Sequence, residues 1–144
     1  MTRLAFLAGE PVLMSGGGDN AIKMWLCDDA SARLLRERSG HSANPTLVHF
    51  YNGGSNGGVG AGRELLTAAA DRSVRMFSLI QDQQSVELSQ GKLESKANKT
   101  GAQLTSLKLP QVTALASSTA RERQWDSVLT AHRGQPFACT WNYV

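Results

Sequence analysis

The segment SGGGDNAIKMWL (15–26) returns further along the chain, at one constant offset, as TAAADRSVRMFSL (67–79). Ser15 aligns with Thr67, Asp19 with Asp71, Ile22 with Val74, Lys23 with Arg75, Met24 with Met76 and Trp25 with Phe77. A match this detailed inside 144 residues constrains the fold more than any bulk property. It requires repeated supersecondary units, each of which buries its apolar face against a neighbouring copy.

The local signals within each copy are those of β-strands. In the first, RLAFL (3–7), VLMSG (12–16) and AIKMWL (21–26) are short apolar runs separated by GEP and GGDN. The third alternates, with Ile22, Met24 and Leu26 on one face and Lys23 and Trp25 on the other. Period two with Gly, Asp and Asn punctuation predicts hairpins. SARLLRERS (31–39) is compatible with helix or strand, and its length between turn signals favours a fourth strand. The second copy keeps the order: TLVHF (46–50), ELLTA (64–68), the turn AADR, then SVRMFSL (73–79), with QSVELSQG as its outer strand.

SGHS places Gly40 and His41 ahead of the second copy. A histidine before the first strand can meet Asp71 in the turn between the second and third strands. Thr67, near the end of the second strand, can join them, and Phe77 on the third closes the set. Buried polar groups need such mutual satisfaction, and a satisfied network fixes the packing of a sheet. The rival reading makes His41 a base, Asp71 its orienter and Thr67 a nucleophile. Ser15, Asp19 and Trp25 repeat the spacing with no local histidine, which structural repetition explains and a single active site does not.

Between these elements lies the glycine-rich YNGGSNGGVGAGRE (51–64), read as a flexible insertion between two strands. It lacks the GK[ST] of a phosphate-binding P-loop. KLESKANKTGAQ, with Lys92, Lys96 and Lys99, reads as a surface linker, and SLKLPQVTALASS (106–118) as the next apolar strand. DSVLTAH (126–132) and FACTWNYV (137–144) complete a third unit around the turn RGQP. There Thr130 takes the Ser/Thr role, Trp141 the aromatic role, and Gly134 falls near the turn position held by Asp elsewhere. With Gly91 followed by Lys92 and not by His, this unit is expected to have a reduced polar set. The arginines of ARERQW are candidates for partner contacts or ordinary surface charge.

Gly-His before a strand, an Asp turn, and Trp or Phe six residues later resemble the WD repeats of β-propellers. The larger set LMSGGGDNAIKMW, RSGHS, LLTAAADRSVRMFSL, ELSQGK, ARERQWDSVLTAHRG and CTWNY resembles the small nucleolar RNA-associated protein 21 family, tandem-propeller components of the small-subunit processome. The resemblance covers essentially the whole chain, whereas such proteins are several times longer. It implies an all-β, incomplete WD-repeat propeller of about three partial four-stranded blades: 1–38 without its Gly-His, 39–91 nearly complete, and 92–144 as polar linker plus partial blade. It further implies a non-enzymatic scaffold of ribosome biogenesis in the nucleus and nucleolus, with other processome proteins, pre-rRNA or small nucleolar RNA, and the remaining blades as partners. A WD-repeat adaptor in another intracellular complex is the alternative. Phe77, standing where such repeats usually carry Trp, loses the indole donor. Three partial blades cannot close a ring, so apolar faces at both ends are expected to make the isolated chain marginal or aggregation-prone.

Composition narrows the classes. Hydrophobic residues are 41% and charged residues 19%, with 14 Gly and 4 Pro, as in a globular chain with many turns. A formal charge of +3 implies only weak, salt-sensitive RNA binding by this stretch alone. Cys27 and Cys139 form no framework, which suggests a reducing compartment, and together with His49 and His132 they lack zinc-ligand spacing. No run approaches the roughly 20 apolar residues of a membrane span, and the apolar stretch near Met1 is too short for a signal peptide. No cofactor is implied.

Overall fold

The period-two segments form three antiparallel sheets in the computed structural model, which describes residues 2–51, 63–81, 85–120 and 124–142. The first sheet holds β1 (Arg3–Phe6), β2 (Val12–Gly16), β3 (Ile22–Leu26) and β4 (Arg33–Arg38) in sequence order. The second holds β5 (Pro45–Tyr51), β6 (Glu64–Ala69), β7 (Val74–Ser78) and β8 (Ser85–Glu87), also in order. The third contains β9 (Val112–Ser117), β10 (Val128–His132) and β11 (Ala138–Trp141), with β10 in the middle. The glycine-rich insertion expected over 51–64 falls almost wholly outside the described residues, as do Arg121 and Arg123.

The repeat extends to the backbone of the turns. Asn20 and Arg72, at equivalent positions after the two aspartates, both adopt φ of 62°. This left-handed conformation is easy for Asn and strained for Arg. In both turns the residue's own N–H closes the hairpin by donating to a carbonyl three residues earlier, Gly17 and Ala69 respectively.

Alternation decides what each sheet buries. The second sheet uses both faces, because β5, β6 and β7 are apolar at odd and even positions alike. Val48, Phe50, Leu65 and Phe77 pack against Met14 and Ile22 of the first sheet. Tyr51, Leu66, Val74 and Met76 pack against Val112, Val128 and Trp141 of the third. The sheets meet chiefly along their first strands, β1 with β5 and β5 with β9. Gly16 sits at one such approach, where a Cβ would stand 3.0 Å from that of Pro45. Polar bonds cross the seams as well. Thr2 Oγ1 donates to the Pro45 carbonyl, Arg36 donates to the Ile80 carbonyl at 2.9 Å, and the His49 Nε2 and Ser117 Oγ pair spans 2.9 Å.

The interval 92–103 departs from the linker expectation. Leu93–Thr100 forms a helix, α1, and Leu104–Leu107 a single turn, α2, so the strand expected to start near 106 begins only at Val112. Glu, Lys and Ala favour helix intrinsically. Gly101, at φ of 66°, ends α1 by donating its N–H to the Ala97 carbonyl. The helix buries no residue. The segment that carries it is tied down at its flanks: Gln90 donates to the Arg72 carbonyl at 2.9 Å and accepts from the Leu109 N–H at 2.7 Å. Among the described residues no helix is long and apolar enough to cross a membrane.

This packing predicts unequal costs of truncation. Leu66→Ala, in the doubly covered sheet, should lower the unfolding free energy by about 2–5 kcal/mol. Leu35→Ala, on an exposed stretch of β4, should change it by no more than about 0.5 kcal/mol. Urea denaturation of the two variants checks the difference.

Candidate functional site

The polar residues singled out by the repeat gather at one end of each sheet. In the second sheet, Gly40 delivers His41 to its site: φ is 150°, and a Cβ there would lie 3.4 Å from the Phe77 ring. His41 Nδ1 stands 3.1 Å from Asp71 Oδ2 and 3.0 Å from Ser73 Oγ, while its Nε2 stands 2.7 Å from Thr67 Oγ1. Asp71 also receives the Ser42 N–H at 2.9 Å, the Ser73 N–H at 3.0 Å and the Ser73 hydroxyl at 2.7 Å. Partial burial pushes its carboxyl upward, but these hydrogen bonds and His41 outweigh it, and the group titrates below the usual range. It is therefore an ionised acceptor.

Acceptor chemistry fixes the imidazole. A carboxylate can only accept, so Nδ1 carries the proton and donates to Asp71, leaving Nε2 to accept from the Thr67 hydroxyl. Burial drives the His41 pKa down, with the Asp71 carboxylate opposing the shift, and the ring is neutral. Phe77 fills the aromatic position. Its ring centroid is 6.1 Å from that of His41 at a tilt of 56°. Thr67 thus lacks the indole donor, as the sequence indicated.

The first sheet carries a shorter version. Trp25 Nε1 donates to Ser15 Oγ at 2.8 Å. Asp19, with no histidine to meet, pairs with Lys23 Nζ at 2.6 Å and accepts the Ala21 N–H at 3.3 Å. The Lys23 ammonium, with that N–H, holds the Asp19 carboxyl below its ordinary value, and Lys23 rises in return. Asp19 therefore does not reach the Ser15–Trp25 pair through hydrogen bonds as Asp71 reaches Thr67.

The third sheet corrects an expectation. Its polar set is complete, because His132 supplies what the missing Gly-His would have brought. Trp141 Nε1 donates to Thr130 Oγ1 at 2.7 Å, Thr130 Oγ1 lies 3.0 Å from His132 Nε2, and His132 Nδ1 lies 2.6 Å from the Pro110 carbonyl. A carbonyl only accepts, so the direction is fixed from Trp to Thr to His to backbone. His132 sits two residues after Thr130 on the same strand, hence on the same face. That Thr-x-His alternation was the available signal. The Pro110 carbonyl replaces the Asp carboxylate, which is why Gly134 suffices in the turn.

Thr67 and Thr130 are fully buried, and His41 and His132 nearly so. Among the described residues no group of three or more His, Cys, Asp or Glu is placed to hold a metal ion. Antiparallel sheets of three or four strands, stacked through their first strands, with an aromatic–hydroxyl–histidine set in the second and third sheets and an aromatic–hydroxyl pair in the first, are the blades of a WD-repeat β-propeller.

Comparison with known proteins narrows that class. No protein-family model matches the chain. The U3 small nucleolar RNA-associated protein 21 homolog of Schizosaccharomyces pombe is 46% identical over 99% of the chain and 15% of its own length. Human WD repeat-containing protein 36 is 37% identical over 97% of the chain and 15% of its own length. The U3 small nucleolar RNA-associated protein 21 of Saccharomyces cerevisiae is 34% identical over 99% of the chain and 16% of its own length. The chain is homologous to a segment of the small nucleolar RNA-associated protein 21 family. Among solved structures, the computationally designed Ika8 protein matches 91% of the chain and 30% of its own, with a TM-score of 0.56 and 22% identity, a likeness of fold alone.

The two threonines should respond differently to replacement. Thr130→Val strips a partner from both Trp141 and His132, whereas Thr67→Val strips one only from His41. At about 1–3 kcal/mol for a buried unsatisfied group, Thr130→Val should be the costlier change in chemical denaturation. Acidification tests the histidine. A folded pKa held below the unfolded value of about 6.5 gives stability that is present above that value and lost as pH falls through the folded one. His49, also lowered by burial, acts with the same sign. His41→Gln should therefore flatten, without abolishing, the loss of urea midpoint between about pH 6.5 and 5.

Proposed function

We propose that the chain serves as a non-enzymatic scaffold segment of ribosome biogenesis, within the small-subunit processome and at the nucleolus, where its partners are other processome proteins and pre-ribosomal or small nucleolar RNA. The observation that carries this reading is the alignment of nearly the whole chain with relatives named as U3 small nucleolar RNA-associated proteins. In this reading the units are the blades 1–38 and 39–91 and the polar linker with partial blade 92–144, and Ser15, Asp19, Trp25, His41, Thr67, Asp71, Phe77, Thr130 and Trp141 form the structural blade network, Asp19 from an exposed place in its turn. Burial supports a structural role over catalysis. A nucleophile must meet its substrate, and Thr67 has no exposed surface, with its hydroxyl proton committed to His41.

The test is made in the cells that express the sequence. Affinity isolation of the tagged gene product should recover U3 small nucleolar RNA, and its depletion should make unprocessed pre-ribosomal RNA accumulate. Recovery of an unrelated complex without that RNA, together with normal pre-rRNA processing, would establish the general adaptor role instead.

A further inference from the structure

Antiparallel order sends alternate loops to opposite ends of the stack. The β2–β3, β6–β7 and β10–β11 turns share one end with the β4–β5 and β8–β9 connections. Charge is divided unequally between the two ends. At the end that carries the Asp71 turn, Arg72, Lys92, Lys96, Lys99 and Arg133 are exposed. At the other, Glu10, Asp28, Asp29 and Asp126 are exposed, and Arg63 is the one cation among the described loop residues. The carboxylates at the basic end are engaged or turned aside. Asp19 pairs with Lys23, and Asp71 serves His41. Glu94 falls two residues from both Lys92 and Lys96, which puts it on the far side of the helix.

The helix α1 gathers these lysines into a stripe. The Lys96 N–H donates to the Lys92 carbonyl at 3.0 Å, so Lys96 and Lys99 follow the cap residue Lys92 at i+4 and i+7. Residues so spaced share a face and rise along the axis by about 6 Å and then about 4.5 Å. Leu93 and Ala97 are half-buried, while the three lysines are exposed. The chain has five lysines. Lys23 and Lys108 are neutralised by Asp19 and Glu87, whereas among the described residues no carboxylate pairs with those of α1. Like charges on successive turns disfavour a helix. The segment is nevertheless fastened on both sides of α1 by Arg72, itself in a left-handed conformation. Its guanidinium donates to the Thr105 carbonyl at 3.1 Å, and its carbonyl accepts from Gln90.

We propose that the Lys92–Lys96–Lys99 stripe is a contact for the phosphate backbone of single-stranded RNA, with Arg72 and Arg133 adding to the positive field at that end. The inference deepens the ribosome-biogenesis reading and rests on it for the choice of RNA over other polyanions. Charge complementarity carries the contact: three unpaired ammonium groups, held on one helix, follow one another much as phosphates do along a strand. The whole interval 88–111 holds no aromatic residue, so it offers no platform on which a base could stack. Recognition is therefore of the backbone, tolerant of sequence and sensitive to salt.

The test uses the full-length gene product and a single-stranded uridine oligonucleotide as probe, with affinity measured across a series of salt concentrations. Lys92→Gln, Lys96→Gln and Lys99→Gln are combined, since Gln matches Lys in helix propensity and these side chains are exposed. The triple variant should keep the parent's urea midpoint. Its affinity should fall roughly tenfold or more at about 0.1 M salt, and its log–log salt dependence should flatten by about 2. If the midpoint shifts, Lys96→Gln alone takes its place, with an expected flattening of about 0.7. A salt dependence and affinity equal to the parent's overturn the proposal, as does a parent protein that fails to bind the probe. Unchanged RNA binding together with loss of a protein from affinity isolates overturns it too, and gives the stripe to an acidic protein partner. The ribosome-biogenesis reading fails separately, by absence of U3 small nucleolar RNA from isolates of the parent. With the salt dependence still flattened in the variant, the phosphate contact would stand and serve another RNA.

Discussion

A sheet of four short strands has two faces, and the second blade must bury both. That single demand organises the molecule. β5, β6 and β7 carry apolar side chains at successive positions, so neither face tolerates water, and the first and third blades exist structurally as the covers of the second. Burial of this kind is non-directional and would allow sheets to slide. The polar bonds that cross the seams, from Thr2 to Pro45, Arg36 to Ile80 and His49 to Ser117, supply the direction. Apolar area gives the stack its cohesion, and these bonds set its register.

Within a blade the histidine sets play the corresponding part. In the second and third blades each ties a third-strand aromatic position, a second-strand hydroxyl and a turn or loop into one arrangement, whereas in the first only the aromatic and the hydroxyl are joined. The three blades reach it with different chemistry. The first has indole and hydroxyl with an exposed Asp–Lys pair, the second has hydroxyl, imidazole and carboxylate without an indole, and the third has indole, hydroxyl, imidazole and a backbone carbonyl. What is held constant is the satisfaction of buried donors and acceptors. The identity of the groups varies.

Much of this could be read from the chain because strands advertise themselves. Ile22, Met24 and Leu26 alternate cleanly, and the equivalence of Asp19 with Asp71 gave the hairpins their register. His41 was legible since Gly40 and a following strand frame it. His132 was marked only by the Thr-x-His alternation, whose meaning depends on which face of β10 meets the second blade, a fact of tertiary packing. The helix α1 was hidden for a different reason. It buries nothing, so its apolar periodicity carries no signal, and only the mild preferences of Glu, Ala and Lys and the left-handed Gly101 mark it.

The position of His132 also bears on the order in which the blades assemble. Thr130 and His132 are two residues apart, and Trp141 is eleven residues beyond Thr130, so the indole, hydroxyl and imidazole meet as soon as one hairpin closes. In the second blade His41 must travel across a separation of 26 residues to reach Thr67 and 30 to reach Asp71. The entropy of closing the longer loop falls due before any of those bonds forms. The third blade can therefore lock its hairpin while the chain is still largely open, whereas the second locks only after its first three strands have come together. Two sets that look alike in the finished fold thus mark different moments in its making.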